Sequence, residues 1–495
     1  MLFRLERVRL CVAVRERALE ARARLLVVGR WALRQRVELL AQRAEIDGRF
    51  RGHRSDYLAP WVPVHGPLGL SWARLRPMVL DPSSIGPNNG SMRRALAAAL
   101  VCAAAVAFPN AVATGSASTK PLTQRLAQAL AVPHVPAAHS AAMALDLNTG
   151  AVVFGRNPGL SLVPASNEKL PITYTALETL GPDYRIATDV LGQGALVGTT
   201  WRGSLALQGH GDPTLSSAGL NRLARQVRAA GIGKVTGSVL GDESYFDSRR
   251  TAPGWKPSFY ITQSEPLSAL TVDRTWFHTH HSSAPAAAAA ALFKDALRKQ
   301  GVSVTGRATR GVASPDAEQL AEVLSPPLAQ IVRFMDRESD NFTAELLLKQ
   351  IGAANGATGT TAAGAALVRT TLVEAGIPLA GVRIVDGSGL SSLDRLTARA
   401  IVGILQAAWQ DPTIKASFVS ALAVSGRTGT LKDRLRRPPA LGAVLAKTGT
   451  TSLASALSGF VRSRYVFSVL QNGRPVSYTW ARRAQDRFAT VLASQ

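Results

Sequence analysis

Val163-Pro164-Ala165-Ser166-Asn167-Glu168-Lys169-Leu170-Pro171-Ile172-Thr173-Tyr174-Thr175-Ala176-Leu177 decides how this chain is read. The apolar run after Lys169 predicts a buried helix that starts at or near Ser166. Pro171 fits its first turn, where a missing N–H costs nothing. Ser166 and Lys169 stand three residues apart, so a helix puts both on one face. A serine hydroxyl is a weak nucleophile until a base takes its proton. A free lysine, with a pKa of about 10.4, stays protonated and cannot serve as that base. Burial and nearby positive charge lower the value and free the amine to act. A helix N-terminus also aims backbone N–H groups at an oxyanion formed on a substrate. By itself the S-x-x-K spacing is better read as a serine N-cap followed by a solvated lysine.

Two later motifs change the weights. Leu328, Ile331, Val332 and Met335 have helical spacing, as do Phe342, Leu346 and Leu347, so Ser339-Asp340-Asn341 lies where two helices meet. There Ser339 suits a proton relay to a leaving group and Asn341 a contact to a substrate amide; an interhelical turn with N-cap chemistry is the plain alternative. Ala443-Val444-Leu445-Ala446 runs into Lys447-Thr448-Gly449-Thr450, and strand-like stretches follow over 453–461 and 464–470. This reads as an antiparallel meander. Lys447 and Thr448 would sit on a strand whose edge pairs with an extended peptide. Lys447 supplies charge for a substrate carboxylate, and Gly449 lets the backbone approach a ligand. An ordinary strand end explains the last motif alone; the order and contexts of all three argue against coincidence.

The three motifs together resemble the penicillin-recognising serine acyl-transferases, the D,D-peptidases and their β-lactamase relatives. Gly209-His210-Gly211-Asp212-Pro213-Thr214-Leu215 resembles the GGGDPTL stretch of one branch, the D-alanyl-D-alanine carboxypeptidase/endopeptidases of peptidase family S13, also called low-molecular-mass class C penicillin-binding proteins. Residues 241–246, 252–255, 386–391 and 458–460 carry further likeness, which runs from about residue 120 to the C-terminus. The resemblance implies an α+β fold, an antiparallel sheet flanked by helices with an inserted smaller domain. It implies Ser166 as nucleophile, Lys169 as its base, and Ser339 and Asn341 as proton shuttle and substrate contact. Lys447 and Thr448 would bind the terminal carboxylate, and the N–H groups of Ser166 and Thr450 the oxyanion. It gives Asp242 the amino group of a cross-link residue; a turn carboxylate fits Asp242 as well. The implied partners are peptidoglycan peptides, with β-lactams as covalent inhibitors and no cofactor or metal. Two departures stand out: only 173 residues separate the first two motifs (339 − 166), fewer than in the longest relatives, and Ser392 follows D-G-S-G-L-S where many relatives carry arginine.

Met92-Arg93-Arg94, the apolar stretch 95–108 and Ala111-Val112-Ala113 describe a secretory signal peptide over 92–113. The apolar run is short for a membrane span. Residues 1–91 hold 16 Arg, no Lys and 8 acidic residues. They read as a basic extension from a mis-assigned start, with Met92 the favoured start; a translated extension with 95–108 as an uncleaved anchor is the alternative. Both cysteines, Cys11 and Cys102, precede Thr114, so the exported part needs neither disulfide nor thiolate. Of the net charge of +24, residues 1–91 carry +8 and Arg93 and Arg94 carry +2, leaving +14. There is no zinc spacing, aromatic RNP pattern or single basic block, so a nucleic-acid partner is not expected. A basic exported chain is instead drawn peripherally to anionic wall polymers or lipid headgroups, unless the charge is only a solvated surface.

Residues 114–187 and 325–495 are expected to form the catalytic domain, with 188–324 inserted. Asn148-Thr149-Gly150 predicts a hairpin and Ala284–Ala291 a low-complexity linker. His278, His280 and His281 lack a nearby acid or cysteine and read as an exposed loop rather than a metal site. The expected activity is an exported D,D-carboxypeptidase/endopeptidase acting through an acyl-enzyme. A β-lactamase or esterase on the same fold is the alternative, disfavoured because Glu345 and Glu374 stand outside an E-x-x-L-N context. A non-catalytic wall-binding protein is disfavoured by the intact motifs.

Overall fold

The computed structural model describes residues 120–354 and 356–495; the extension 1–91 and the leader 92–113 lie outside the described residues. Helix α1 (Leu122–Ala129) and the hairpin of β1 (Ser140–Asp146) and β2 (Val152–Arg156) come first. A 3₁₀ turn over Ala165–Glu168 leads into α2 (Lys169–Leu180). Next are β3 (Ala187–Val197), β4 (Thr200–Gly209), α3 (Ser217–Ala229), β5 (Lys234–Val235) and β6 (Val239–Asp242). A small hairpin, β7 (Trp276–Phe277) and β8 (His280–His281), precedes α4 (Pro285–Lys299), β9 (Ser303–Val304), β10 (Ala308–Arg310) and β11 (Glu318–Leu324). Helices α5 (Leu328–Glu338), α6 (Asn341–Ala353), α7 (Thr361–Glu374), α8 (Ala398–Gln410) and α9 (Lys415–Ala421) follow. The chain closes with β12 (Ala423–Val424), β13 (Val444–Thr450), β14 (Ala454–Val461), β15 (Tyr465–Asn472) and α10 (Tyr478–Ala493).

The main sheet is antiparallel, ordered β12-β13-β14-β15-β1-β2, so the first strands pair with the last. Every residue of β14 is buried. The reason is period-two alternation between two helical layers. Ala456 and Phe460 face a core shared with α2, α6 and α8, while Leu457 and Val461 face one shared with α1 and α10. This is α+β architecture.

All strands of the second sheet lie between Ala187 and Leu324. Its helices α3 and α4 add Leu223, Val227, Phe293 and Leu297 to a separate core with Val190, Leu205 and Leu207. Where the chain leaves and re-enters the main layer it is stitched together: Ser325 N donates to the Ile186 carbonyl, and Ile186 N donates to Ser325 Oγ, both at 2.9 Å. Ser166 and Lys169 therefore precede this stretch in sequence, and Ser339, Asn341 and Lys447 follow it.

Ala284–Ala291 is not a linker. It forms the first turns of α4, and Ala286, Ala288, Ala289 and Ala290 are buried. A Cβ built on Gly241 of β6 would collide with the Ala286 carbonyl. Helix and strand pack so closely that only small side chains fit, which composition alone reads as low complexity. His278 and His280 are exposed around the β7–β8 hairpin. No described helix is long and apolar enough to cross a membrane. Ala290→Leu should destabilise the protein by about 1–3 kcal/mol through overpacking, read from urea unfolding; the exposed Ala284→Ser should cost far less.

Candidate active site

Ala165 adopts φ 49°, the left-handed region that non-glycine residues enter at a cost. That turn leaves Ser166 half-buried while Asn167, Glu168 and Lys169 point fully inward. Asn167 pins the turn to β13, its Nδ2 donating to the Lys447 carbonyl at 3.1 Å, and Ser458 Oγ donates to Asn167 Oδ1 at 2.6 Å. Gly449 completes the fit. The close approach its missing side chain permits is to the Ser166 turn, since a Cβ there would lie 2.8 Å from the Pro164 carbonyl.

Lys169 is fully buried, and its hydrogen-bond partners are neutral. Its Nζ lies 3.2 Å from Ser166 Oγ, 2.8 Å from Asn341 Oδ1 and 2.7 Å from the Ser388 carbonyl. Burial holds the amine down at about 8, against the opposing pull of Asp386, Asp340, Glu345 and Asp336. Lys447 is equally buried; burial and then the charge of Lys169 push its amine well below the usual lysine value. Lys447 Nζ donates to Ser339 Oγ at 2.8 Å and to the Thr448 carbonyl at 3.0 Å. Ser339 occupies the left-handed region (φ 60°) at the end of α5, which turns its hydroxyl toward β13. Asp340 caps α6, accepting from Thr343 N at 2.8 Å, and Asn341 begins that helix.

The strand edge is only partly open. β12 pairs with Leu445 and Ala446, and Ser425 N donates to the Val444 carbonyl at 2.9 Å. Hydrogen-bonding direction alternates along a strand, so Thr448 and Thr450 share the side of Val444. The register with β14 runs unbroken to Thr450. The N–H of Thr450 thus faces the unpaired edge beyond β12, near the Ser166 turn that Gly449 touches. Thr448 Oγ1 donates to Thr430 Oγ1 at 2.8 Å.

The structure brings together Ser166, Lys169, Ser339, Asn341, Lys447 and Thr448, with Gly449 and Thr450 beside them. Asp242 is not in this group. It is fully buried, and its carboxylate accepts from Gln208 Nε2 (2.9 Å), Ser244 N (2.8 Å) and Ala313 N (2.9 Å). Its bonds are spent on the inserted layer's own loops, as a turn carboxylate rather than a free anion. Arg395, near Ser392, donates to the Ser392 and Asp394 carbonyls.

A buried acidic layer under Lys169 escaped the sequence reading. Glu345 Oε1 accepts from Gly387 N (3.0 Å) and Ser388 N (2.9 Å). Asp386 accepts from Gly389 N and Ser391 N, each at 2.7 Å. Burial, then Asp386 and Glu345, drives Glu168 well above the carboxylate range. Burial and Asp386 do the same to Glu345 and Asp394. Asp336, raised by burial, accepts from Thr173 Oγ1 at 2.7 Å and faces both lysines. The one available signal was the D-G-S-G-L-S stretch, whose glycines and serines surround Asp386. A basic cleft of about 990 Å³ lined by residues of α1 and α10, among them Arg125, Arg482 and Arg487, contains none of the motif residues.

A family model, D-Ala-D-Ala carboxypeptidase 3 (S13) family, matches residues 122–284 and 277–495. The chain is 30% identical over 509 residues to a D-alanyl-D-alanine carboxypeptidase of Actinomadura sp. (strain R39), covering 84% of this chain and 93% of that protein. It is 32% identical over 379 residues to Carboxypeptidase DacB of Mycolicibacterium smegmatis, covering 70% and 79%. Among solved structures, penicillin binding protein 4 (dacB) from Haemophilus influenzae superposes with a TM-score of 0.66 at 21% identity, covering 75% of this chain and 98% of that one. That likeness carries the fold, the β-lactamase/D,D-peptidase type of α+β domain. With its serine and lysine in hydrogen-bond reach inside that fold, the chain belongs to the D-Ala-D-Ala carboxypeptidase 3 (S13) family and is a serine-peptidase hydrolase.

Proposed function

We propose that the chain is an exported D-alanyl-D-alanine carboxypeptidase, with endopeptidase capacity, that trims peptidoglycan stem peptides through a Ser166 acyl-enzyme and is acylated by β-lactams. One observation carries this reading: a fully buried lysine amine, depressed to about 8, stands 3.2 Å from the serine hydroxyl. Neutral Lys169 takes the Ser166 proton as Oγ bonds to the carbonyl carbon of the penultimate residue. The oxyanion forms at the N–H groups of Ser166 and Thr450, where fixed dipoles count most. Ser339 relays the proton that Lys169 has taken to the leaving amine nitrogen, which returns Lys169 to its neutral form, the C–N bond breaks, and D-alanine departs. Water then cleaves the ester and regenerates Ser166. Lys447, protonated, holds the terminal carboxylate beside Thr448. A related protein, penicillin binding protein 4 of Haemophilus influenzae, has been solved complexed with a β-lactam, which supports the inhibitor class. The state of the two glutamates supports a peptidase over a β-lactamase. Glu345 is fully buried, with Oε1 accepting from the Gly387 and Ser388 N–H groups, and Glu374 is exposed at the end of α7. The signal-peptide pattern over 92–113 supports export.

Ser166→Ala should abolish covalent labelling by a penicillin while leaving unfolding unchanged. Intact mass and tryptic mapping check this, and a labelled peptide that lacks Ser166 would refute the assignment.

The two lysines should separate by substrate and by pH. Since Lys169 must be neutral, acylation by an uncharged thioester should rise with pH and level off above about 8. Lys447 must be charged to hold a carboxylate and is itself depressed, so carboxylated peptides should show a bell, falling again on the alkaline side. Lys169→Ala should slow every acylation by about 10²–10⁴-fold. Lys447→Ala should harm carboxylated substrates far more than the thioester. Equal losses for both substrates would remove the carboxylate-anchor role.

Export should require Met92–Ala113 and not residues 1–91, with the exported chain starting near Thr114. N-terminal sequencing decides it, and an exported chain intact from Met1 would exclude the mis-assigned start.

A further inference from the structure

The segment from Trp255 to Arg274, within the inserted stretch, touches the catalytic helices and turn at three points. Trp255 Nε1 donates to Asp386 Oδ2 at 2.9 Å. The Gln263 carbonyl accepts from Asn341 Nδ2 at 2.9 Å. Arg274 bonds Glu265 at 2.7 Å and Asp340 at 2.9 Å, with its guanidinium 4.9 Å from the Phe342 ring centre. Gly254, at φ 78°, makes the approach of Trp255 feasible, because a Cβ there would collide with Ser391 Oγ.

Each contact governs an atom beside Lys169. A carbonyl only accepts, so Gln263 keeps Asn341 Nδ2 on its side and turns Oδ1 to Lys169. Arg274 anchors Asp340, the residue before Asn341, at the start of α6. Asp386 gathers Trp255 Nε1 with the N–H groups of Gly389 and Ser391, shaping the turn whose Ser388 carbonyl meets Lys169. That turn is wedged against the nucleophile, since a Cβ on Gly389 would collide with the Ala165 carbonyl. A neutral amine has two N–H bonds and one lone pair. With Asn341 Oδ1 and the Ser388 carbonyl taking both N–H bonds, the lone pair is left for the Ser166 proton.

We propose that Trp255 and Arg274 are positioning residues through which the inserted segment aims the Lys169 lone pair at Ser166. The inserted layer is then part of the catalytic machinery's support and not only a spacer or substrate platform. This inference rests on the acyl-enzyme reading above.

The test uses the full chain and a labelled penicillin, with the saturating acylation rate constant separated from the dissociation constant of the initial complex. Trp255→Phe keeps a ring and loses the donor; Arg274→Gln loses the ion pairs. Both should lower the saturating rate about 10–100-fold, the cost of misplacing a reacting group by a fraction of an ångström to an ångström. The initial dissociation constant and the fraction of protein that labels should stay unchanged. Arg225→Gln, an exposed change on α3 of the same layer, should react like wild type.

A pH profile adds a readout that simple destabilisation would not move. Lys169 is faced by Asp386 from the turn, Asp336 from α5, Asp340 and Glu345 from the α6 side, Glu168 from its own turn and Lys447 from β13. Asp386→Asn removes one negative neighbour and should shift the acid limb of the rate profile to lower pH. Trp255→Phe removes no charge and should lower the plateau. Saturating rates of Trp255→Phe and Arg274→Gln indistinguishable from wild type would overturn the inference, as would losses seen only in the labelled fraction. Absence of any adduct on the unaltered chain would sink the acyl-enzyme reading as well, so the two failures differ.

Discussion

The arrangement turns on burying one lysine amine in contact with one hydroxyl, which lowers the amine's hold on its proton. Lys169 has no carboxylate in hydrogen-bond contact, although acids surround it a little further out. A direct ion pair would raise its pKa and remove the base. Full exposure would do the same by restoring hydration of the ammonium. The observed solution buries the amine among neutral acceptors, each from a different segment: Ser166 on its own turn, Asn341 at the head of α6, and the Ser388 carbonyl from the loop before α8.

That constraint explains the strained and close-packed points around it. Ala165 and Ser339 both enter the left-handed region, one to present Ser166 and the other to bring a hydroxyl to Lys447. Gly449 and Gly389 each allow another segment to press against the nucleophile turn. Asn167 ties the same turn to the sheet at a buried position. Burial inclines Glu168, Glu345 and Asp394 to hold protons, and loop N–H groups donate to Glu345 Oε1, Asp386 and Asp394 Oδ1, while Glu345 Oε2, Asp394 Oδ2 and both Glu168 oxygens have no protein hydrogen-bond partner. An acidic layer of this kind opposes the effect of burial on Lys169 without touching it.

Much of the site was legible along the chain because its chemistry is local. Ser166 and Lys169 are one helical turn apart, Ser339 and Asn341 flank one interhelical turn, and Lys447 to Thr450 lie on one strand. Spacing alone sets such neighbours, and the order of the motifs supplied the rest. The Ala284–Ala291 stretch misled because alanine content has two causes, a loose linker or a helix packed tightly on a strand, and only the position of Gly241 distinguishes them. Asp242 could be matched by motif, but whether its oxygens are free depends on Gln208 and Ala313, far away in the chain.

By itself, then, the sequence picked out the serine and lysine proposed as nucleophile and base, the two partner motifs and the meander that carries Lys447, since periodicity and short spacings encode contacts within an element. Tertiary structure alone decided that the Ser388 carbonyl completes the lysine's contacts, that five acids lie buried beneath it, and that Trp255, Gln263 and Arg274 reach back from the inserted stretch. Those contacts join residues from 66 to 219 positions apart. No period or motif reports a hydrogen bond across such a distance; it exists only once both segments are packed against the same core.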